Sequence, residues 1–141
     1  MSDGAEILAA VRDLFRGIER ADIPAIHAHY LHEPRVYVFL ESWESKYEGW
    51  DQARRQASWE RLLGAVRFHE LWLEDDAHAG QAGDLGWAAG TVQYRYSAHA
   101  PGSPIVEAWN RGTWIMERHD GRWLTVHEHV SFPAVDPYPA G

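Results

Sequence analysis

The stretch Val126-His127-Glu128-His129-Val130 offers two different chemistries on one alternating backbone. Successive side chains of a strand point to opposite faces, so Glu128 falls on one side and His127 and His129 on the other. A carboxyl group turned toward apolar neighbours is poorly solvated and its pKa rises, which suits a general acid or base near neutrality. The bland alternative is a glutamate at a pocket rim, or one paired with an inward arginine such as Arg67. The His-x-His pair has a spacing that can hold a metal, but a site needs a third ligand. No His-x-x-x-His and no second carboxylate cluster lies nearby in the sequence, so the histidines read as structural and no metal is expected.

Which of these faces meets the interior depends on how Arg111 to Pro133 folds. Two alternating segments flank Asp120-Gly121, the signature of a β-hairpin. A two-residue turn would pair Thr113 with Glu128. A three-residue His119-Asp120-Gly121 loop would pair Gly112 with Glu128 and Trp114 with Val126, and a slip of one residue exchanges the faces. The longer loop gathers Ala108, Asn110, Gly112, Trp114, Met116, Leu124, Val126, Glu128 and Val130 on one side. Arg111, Thr113, Ile115, Glu117, Trp123, Thr125, His127, His129 and Ser131 take the other. That separation of apolar from polar is what a half-buried sheet needs, so the three-residue loop is expected.

Other polar side chains carry less. His27, His29 and His32 sit at spacings that diverge on a helix, and read as an exposed or rim surface. The aromatic residues Tyr37, Trp43, Tyr47, Trp50, Trp59, Trp72, Trp87, Tyr94 and Tyr96 read as core or pocket wall. An apolar pocket still needs a few polar groups to orient a ligand, and Asn110 and Tyr94 are the expected ones, with Trp114 and Val130 as walls. There is no glycine-rich phosphate loop, nucleophile elbow or dinucleotide fingerprint.

A net charge of −8 without a basic stretch argues against nucleic acid and anionic membranes as partners. The chain has no cysteine, which removes disulfides and thiolate chemistry and is consistent with a cytoplasmic location. No signal peptide is read at the N-terminus and no apolar run is long enough to span a membrane.

The positioning elements follow from periodicity. Ile7, Leu8, Val11, Leu14, Phe15 and Ile18 form one helical stripe, opened by Asp3 and Glu6 as a capping box. Asp22 caps a short second helix with Pro24 in its first turn. Its buried edge is Ile23, Ile26 and Tyr30. Arg35 to Leu40 reads as a strand, Trp50 to Leu63 as a third helix, and residues 66–75, 85–98, 105–118 and 122–132 as strands. A single domain of residues 1–141 results, its last eight residues, 134–141, forming an extended tail. Three helices followed by antiparallel strands make an α+β fold, with the helices on the concave face of a curved, cone-shaped sheet and an apolar cavity between them.

The pattern Arg111-x-Thr113, Arg118-x-Asp120-Gly121-x-Trp123 and Val126-His127-Glu128-His129-x-Ser131-x-Pro133, with the Tyr47-Glu-Gly-Trp50 entry into the third helix, resembles the SnoaL-like, ketosteroid-isomerase-like branch of the nuclear-transport-factor-2-like superfamily. The resemblance implies a deep pocket and a homodimer formed through the outer sheet face, which here carries Arg111, Thr113, His127, His129 and Ser131. Kinase association domains of that superfamily place pocket arginines where this chain has Trp114 and Val130, so an apolar ligand is implied. The expected function is cofactor-free proton transfer by Glu128 on an apolar, cyclic or polyketide-like small molecule, as in an isomerase, cyclase or dehydratase. The competing expectation is a non-catalytic binding or dimerisation module, because the fold hosts both.

Overall fold

A computed structural model describes residues 4–40 and 46–132. Two helices, α1 (Ala5–Glu19) and α2 (Ile23–Ala28), are followed by the short strands β1 (Tyr37–Phe39) and β2 (Lys46–Glu48). Helix α3 (Gln52–Ala65) comes next, and then β3 (Val66–Leu73), β4 (His78–Ala82), β5 (Leu85–Ala98), β6 (Val106–His119) and β7 (Arg122–Ser131). The seven strands form one curved sheet in the order β2-β1-β7-β6-β5-β3, with β4 added beside β5. The expected α+β architecture is therefore present, with one amendment. The sheet is mixed, because β1 runs parallel to β7 while the other pairs are antiparallel.

Local sequence explains most of these elements. The apolar stripe of α1 buries Ile7, Val11, Leu14, Phe15 and Ile18 against the sheet. Helix α2 starts where expected, with the Asp22 carboxylate accepting from the Ala25 N–H and so satisfying one orphan donor. Asp51 does the same for Arg54 at the start of α3. The expected Asp3 cap, Trp43 and the 134–141 tail lie outside the described residues. The strand β4, His-Ala-Gly-Gln-Ala, has no β-branched residue to announce it. It forms because β5 supplies a complete ladder of partners from Ala89 to Leu85, a tertiary effect that outweighs weak propensity.

The hairpin of β6 and β7 corrects the expected register. His119 pairs with Arg122, so the turn is the two-residue Asp120-Gly121. Both of its residues have positive φ, 50° and 77°, as a turn matched to the strand twist requires. The three-residue loop is not formed. A bulge then intervenes, with Ile115 opposite His127 but Met116 opposite Thr125, so that Val126 is the extra residue. Beyond it Trp114 faces Glu128 and Gly112 faces Val130. The turn and the bulge each shift the ladder by one residue in the same direction, so the far half of the hairpin is displaced by two from the expected pairing and keeps the expected faces. On the near half of β7 the expected faces are exchanged, with Trp123 and Thr125 buried and Leu124 only half-buried, while Met116 on β6 stays inside as expected.

Candidate functional site

Helices α1 and α3 and the concave side of the sheet enclose a cavity of about 940 Å³. Its walls are apolar, with Leu14, Phe15 and Ile18 from α1 and Leu71, Val92 and Val130 from the sheet. Phe15 meets the Trp114 ring edge-on at 6.1 Å. Among the described residues lining this space, Glu128 is the only carboxylate.

Glu128 is 2% exposed, and both oxygens are held. The Tyr30 hydroxyl donates to Oε1 at 2.8 Å and the Trp114 indole N–H donates to Oε2 at 2.5 Å. Each donor is placed by a separate piece of backbone. Trp114 lies directly opposite Glu128 in the β6–β7 ladder. Tyr30 follows α2, where Leu31 N–H donates to the Thr125 carbonyl and Thr125 N–H to the His29 carbonyl. This parallel bridge stitches the end of the second helix to β7 and brings a residue 98 positions away onto the carboxylate. Burial, followed by the neighbouring Glu128 charge, pushes the Tyr30 hydroxyl well above its usual range. The phenol is therefore a fixed donor, and the arrangement suits a charged carboxylate accepting two bonds.

Tyr94 and Asn110 are both nearly buried and both line the cavity, together with Trp114 and Val130. All five residues singled out in the sequence, Glu128, Tyr94, Asn110, Trp114 and Val130, thus border one space. Tyr30 was legible only as a buried helix edge, and its role comes from the bridge to Thr125. Arg55 gave no signal at all, since it sits among polar residues on a helix of weak amphipathicity. It is nonetheless 1% exposed, with its guanidinium carbon 4.5 Å from the Tyr30 ring centre, 4.6 Å from Tyr47 and 5.5 Å from Trp50. Arg67, the arginine considered as a partner for Glu128, is exposed on β3. The far wall carries the Tyr47 hydroxyl, which donates to Ser58 at 2.8 Å.

The histidines divide differently from expectation. His127 is half-buried and His129 exposed on the convex face beside β1, where the His127 Nδ1 lies 2.7 Å from the Tyr37 carbonyl. Among the described residues, no three His, Asp or Glu side chains converge as a metal site would require. His27 and His29, expected at an exposed or rim surface, are buried, while His32 is exposed and stacks on Trp50 at 3.9 Å. The helix ends at Ala28, so His29 leaves the helical spacing and turns inward, where its Nε2 lies 2.7 Å from the Thr125 hydroxyl.

The family described as "SnoaL-like domain" matches residues 7–135. No curated protein sequence matches the chain. Among solved structures, the chain is similar to a nuclear transport factor 2 (NTF2-like) superfamily protein from Salmonella enterica, at 16% identity and a TM-score of 0.77, covering 96% of this chain and 94% of that one. It is also similar to a ketosteroid isomerase-like protein from Erwinia carotovora, at 18% identity and TM-score 0.74, with coverages of 95% and 98%. The hub homology domain of a calmodulin-dependent kinase II homologue from Chlamydomonas reinhardtii matches at 19% identity and TM-score 0.70, with coverages of 95% and 100%. At these identities the similarity establishes the open curved sheet and its helices, and enzymes and assembly domains share them.

Proposed function

The chain belongs to the SnoaL-like family, and from that premise we propose that it is a small-molecule enzyme catalysing cofactor-free proton transfer on an apolar, cyclic or polyketide-like compound. The observation that carries this reading is a single buried carboxylate, oriented by two donors, at the wall of a large apolar cavity. Glu128 is 2% exposed, so a proton held by carbon next to a carbonyl would meet a base with few competing solvent contacts. Glu128 takes that proton, the C–H electron pair moves into the enolate, and Glu128 returns the proton to a second carbon or to a departing hydroxyl. The Asn110 amide and the Tyr94 hydroxyl border the same space and polarise the carbonyl oxygen. Trp114 and Val130 shape the apolar wall. The absence of cysteine suits a cytoplasmic enzyme.

The test is exchange of α-protons for deuterium in a panel of cyclic ketones and polyketide-like phenols, followed by NMR. The wild-type protein should exchange at least one of them. Glu128→Gln keeps the shape and should slow that exchange by on the order of a hundredfold while still binding the compound. Normal exchange by Glu128→Gln would make Glu128 a wall residue and remove this mechanism. A second reading has one observation in its favour: each Glu128 oxygen already accepts a bond, as a structural carboxylate would. In that case the cavity binds ligands without turnover, and neither protein exchanges any compound it binds.

A further inference from the structure

Arg55 is a buried cation with no carboxylate in contact among the described residues. Its Nη1 and Nη2 are shielded from solvent and make no well-aligned hydrogen bond among them, though the guanidinium is close enough to the Tyr30 hydroxyl to oppose the rise of its pKa. A charge in that position is costly unless something of opposite sign offsets it. Three aromatic faces, Tyr30, Tyr47 and Trp50, surround the guanidinium and supply part of the compensation. They do not supply a negative charge. A buried carboxylate connects to the guanidinium through Tyr30: Glu128, whose Oε1 accepts the hydroxyl of the same ring that Arg55 covers.

The two buried charges therefore share one side chain. Arg55 lies on the face of Tyr30 and Glu128 at its hydroxyl. Arg55 is absent from the cavity wall while Glu128 is on it, so a ligand reaches the carboxylate without displacing the cation. We propose that Arg55 is the counter-ion of Glu128, acting through Tyr30, and that it is a positioning residue that keeps the carboxylate charged inside an apolar cavity. This rests on the reading of Glu128 as the proton acceptor and explains how such a base remains ionised when buried.

Among the described residues, the other charged and titratable groups near the pair differ from Arg55 in burial or charge. Arg54 and Arg61 line the cavity from α3, and both are exposed to water, which screens them. Tyr47 and Tyr94 reach the wall from β2 and β5 as phenols. His27 and His29 pack near Arg55 from α2 and its C-cap, and both are held below the usual histidine range, chiefly by burial, with the Arg55 charge contributing. They are neutral at neutral pH and add no competing charge.

The experiment is a titration of the Glu128 carboxyl carbon by NMR in protein labelled at glutamate side chains, with the resonance assigned by its loss in Glu128→Gln. In Arg55→Met the midpoint should rise by about one pH unit or more, a tenfold change in the protonation equilibrium. In Arg55→Lys, which keeps the charge and gives up the planar stacking, it should stay within about half a unit of wild type. An unchanged midpoint in a folded Arg55→Met overturns the proposal. If Arg55→Met does not fold, Arg55→Gln takes its place: a rise of about one unit supports the counter-ion, and an unchanged midpoint overturns it. The titration needs no substrate. Normal turnover by Glu128→Gln would sink the enzymatic reading and leave this coupling standing, whereas a midpoint indifferent to Arg55 would sink the coupling alone.

Discussion

At the scale of single residues, two buried polar side chains are held by specific partners, Glu128 and His29. His29 is the clearest case after Glu128. Its ring is 7% exposed and Nε2 lies 2.7 Å from the Thr125 hydroxyl. Burial, with the Arg55 charge adding to it, lowers its pKa to about 3, against an opposing contribution from the Ala10 backbone. The folded state thus keeps His29 neutral while the unfolded chain protonates it near 6.5. Between those values the unfolded state binds more protons, so stability rises with pH across that window and is lost as pH falls through it. The unfolding free energy from urea titrations should be flat in this respect above pH 6.5 and decline steadily toward pH 3, by up to several kcal/mol. His29→Gln should flatten the decline. An equally steep decline in that variant would assign it to other groups.

At the scale of elements, the hairpin of β6 and β7 is the device that aims the site. A two-residue turn alone would place Glu128 on the face of Thr113, away from the cavity, and the bulge at Val126 reverses that. Bulges commonly re-aim side chains beside functional sites. The same ladder depends on Gly112, which faces Val130. A Cβ at Gly112 would collide with the Trp114 ring, the ring whose N–H holds Glu128. Gly112→Ala should therefore destabilise the protein by about 1–3 kcal/mol, as overpacking does. It should also weaken binding of any ligand that contacts Glu128. Chemical denaturation beside ligand titration checks both, and wild-type values in the two would show that the ring moves aside freely.

At the scale of the whole molecule, the helices cover the concave face of the sheet and leave its convex face open. Trp87, Trp109 and Ile115 there are 44%, 41% and 38% exposed, alongside Arg111, Thr113, His127, His129 and Ser131 on neighbouring positions. Exposed aromatic groups of this kind with a polar surround mark interaction surfaces. The expected outcome in light scattering at micromolar concentration is a homodimer, and Ile115→Glu should convert it to a monomer by placing a charge in that face. A wild-type monomer would remove the assignment. A dimer indifferent to the substitution would move the interface elsewhere. No helix of the described residues is long and apolar enough to cross a membrane.

Periodicity in the chain determined the helices and long strands, because α1 and β3, β5, β6 and β7 each carry enough residues for a pattern of 3.6 or 2 to emerge. Alternation also assigned Glu128 and the histidines at 127 and 129 to opposite faces. What alternation cannot specify is which face is inner, since that depends on turn length and bulges, and a one-residue change in either inverts the answer. The expected loop was wrong, and the far half of its ladder retained the expected faces only because the bulge adds a second one-residue shift to that of the shorter turn. Tertiary structure alone decided the rest. Tyr30 reaches Glu128, 98 residues away, through a bridge to β7, and Arg55 is buried by rings from two segments, Tyr30 after α2 and Tyr47 with Trp50 just before α3. Neither neighbourhood exists in the sequence, because contacts between distant segments appear only when the helices close over the sheet.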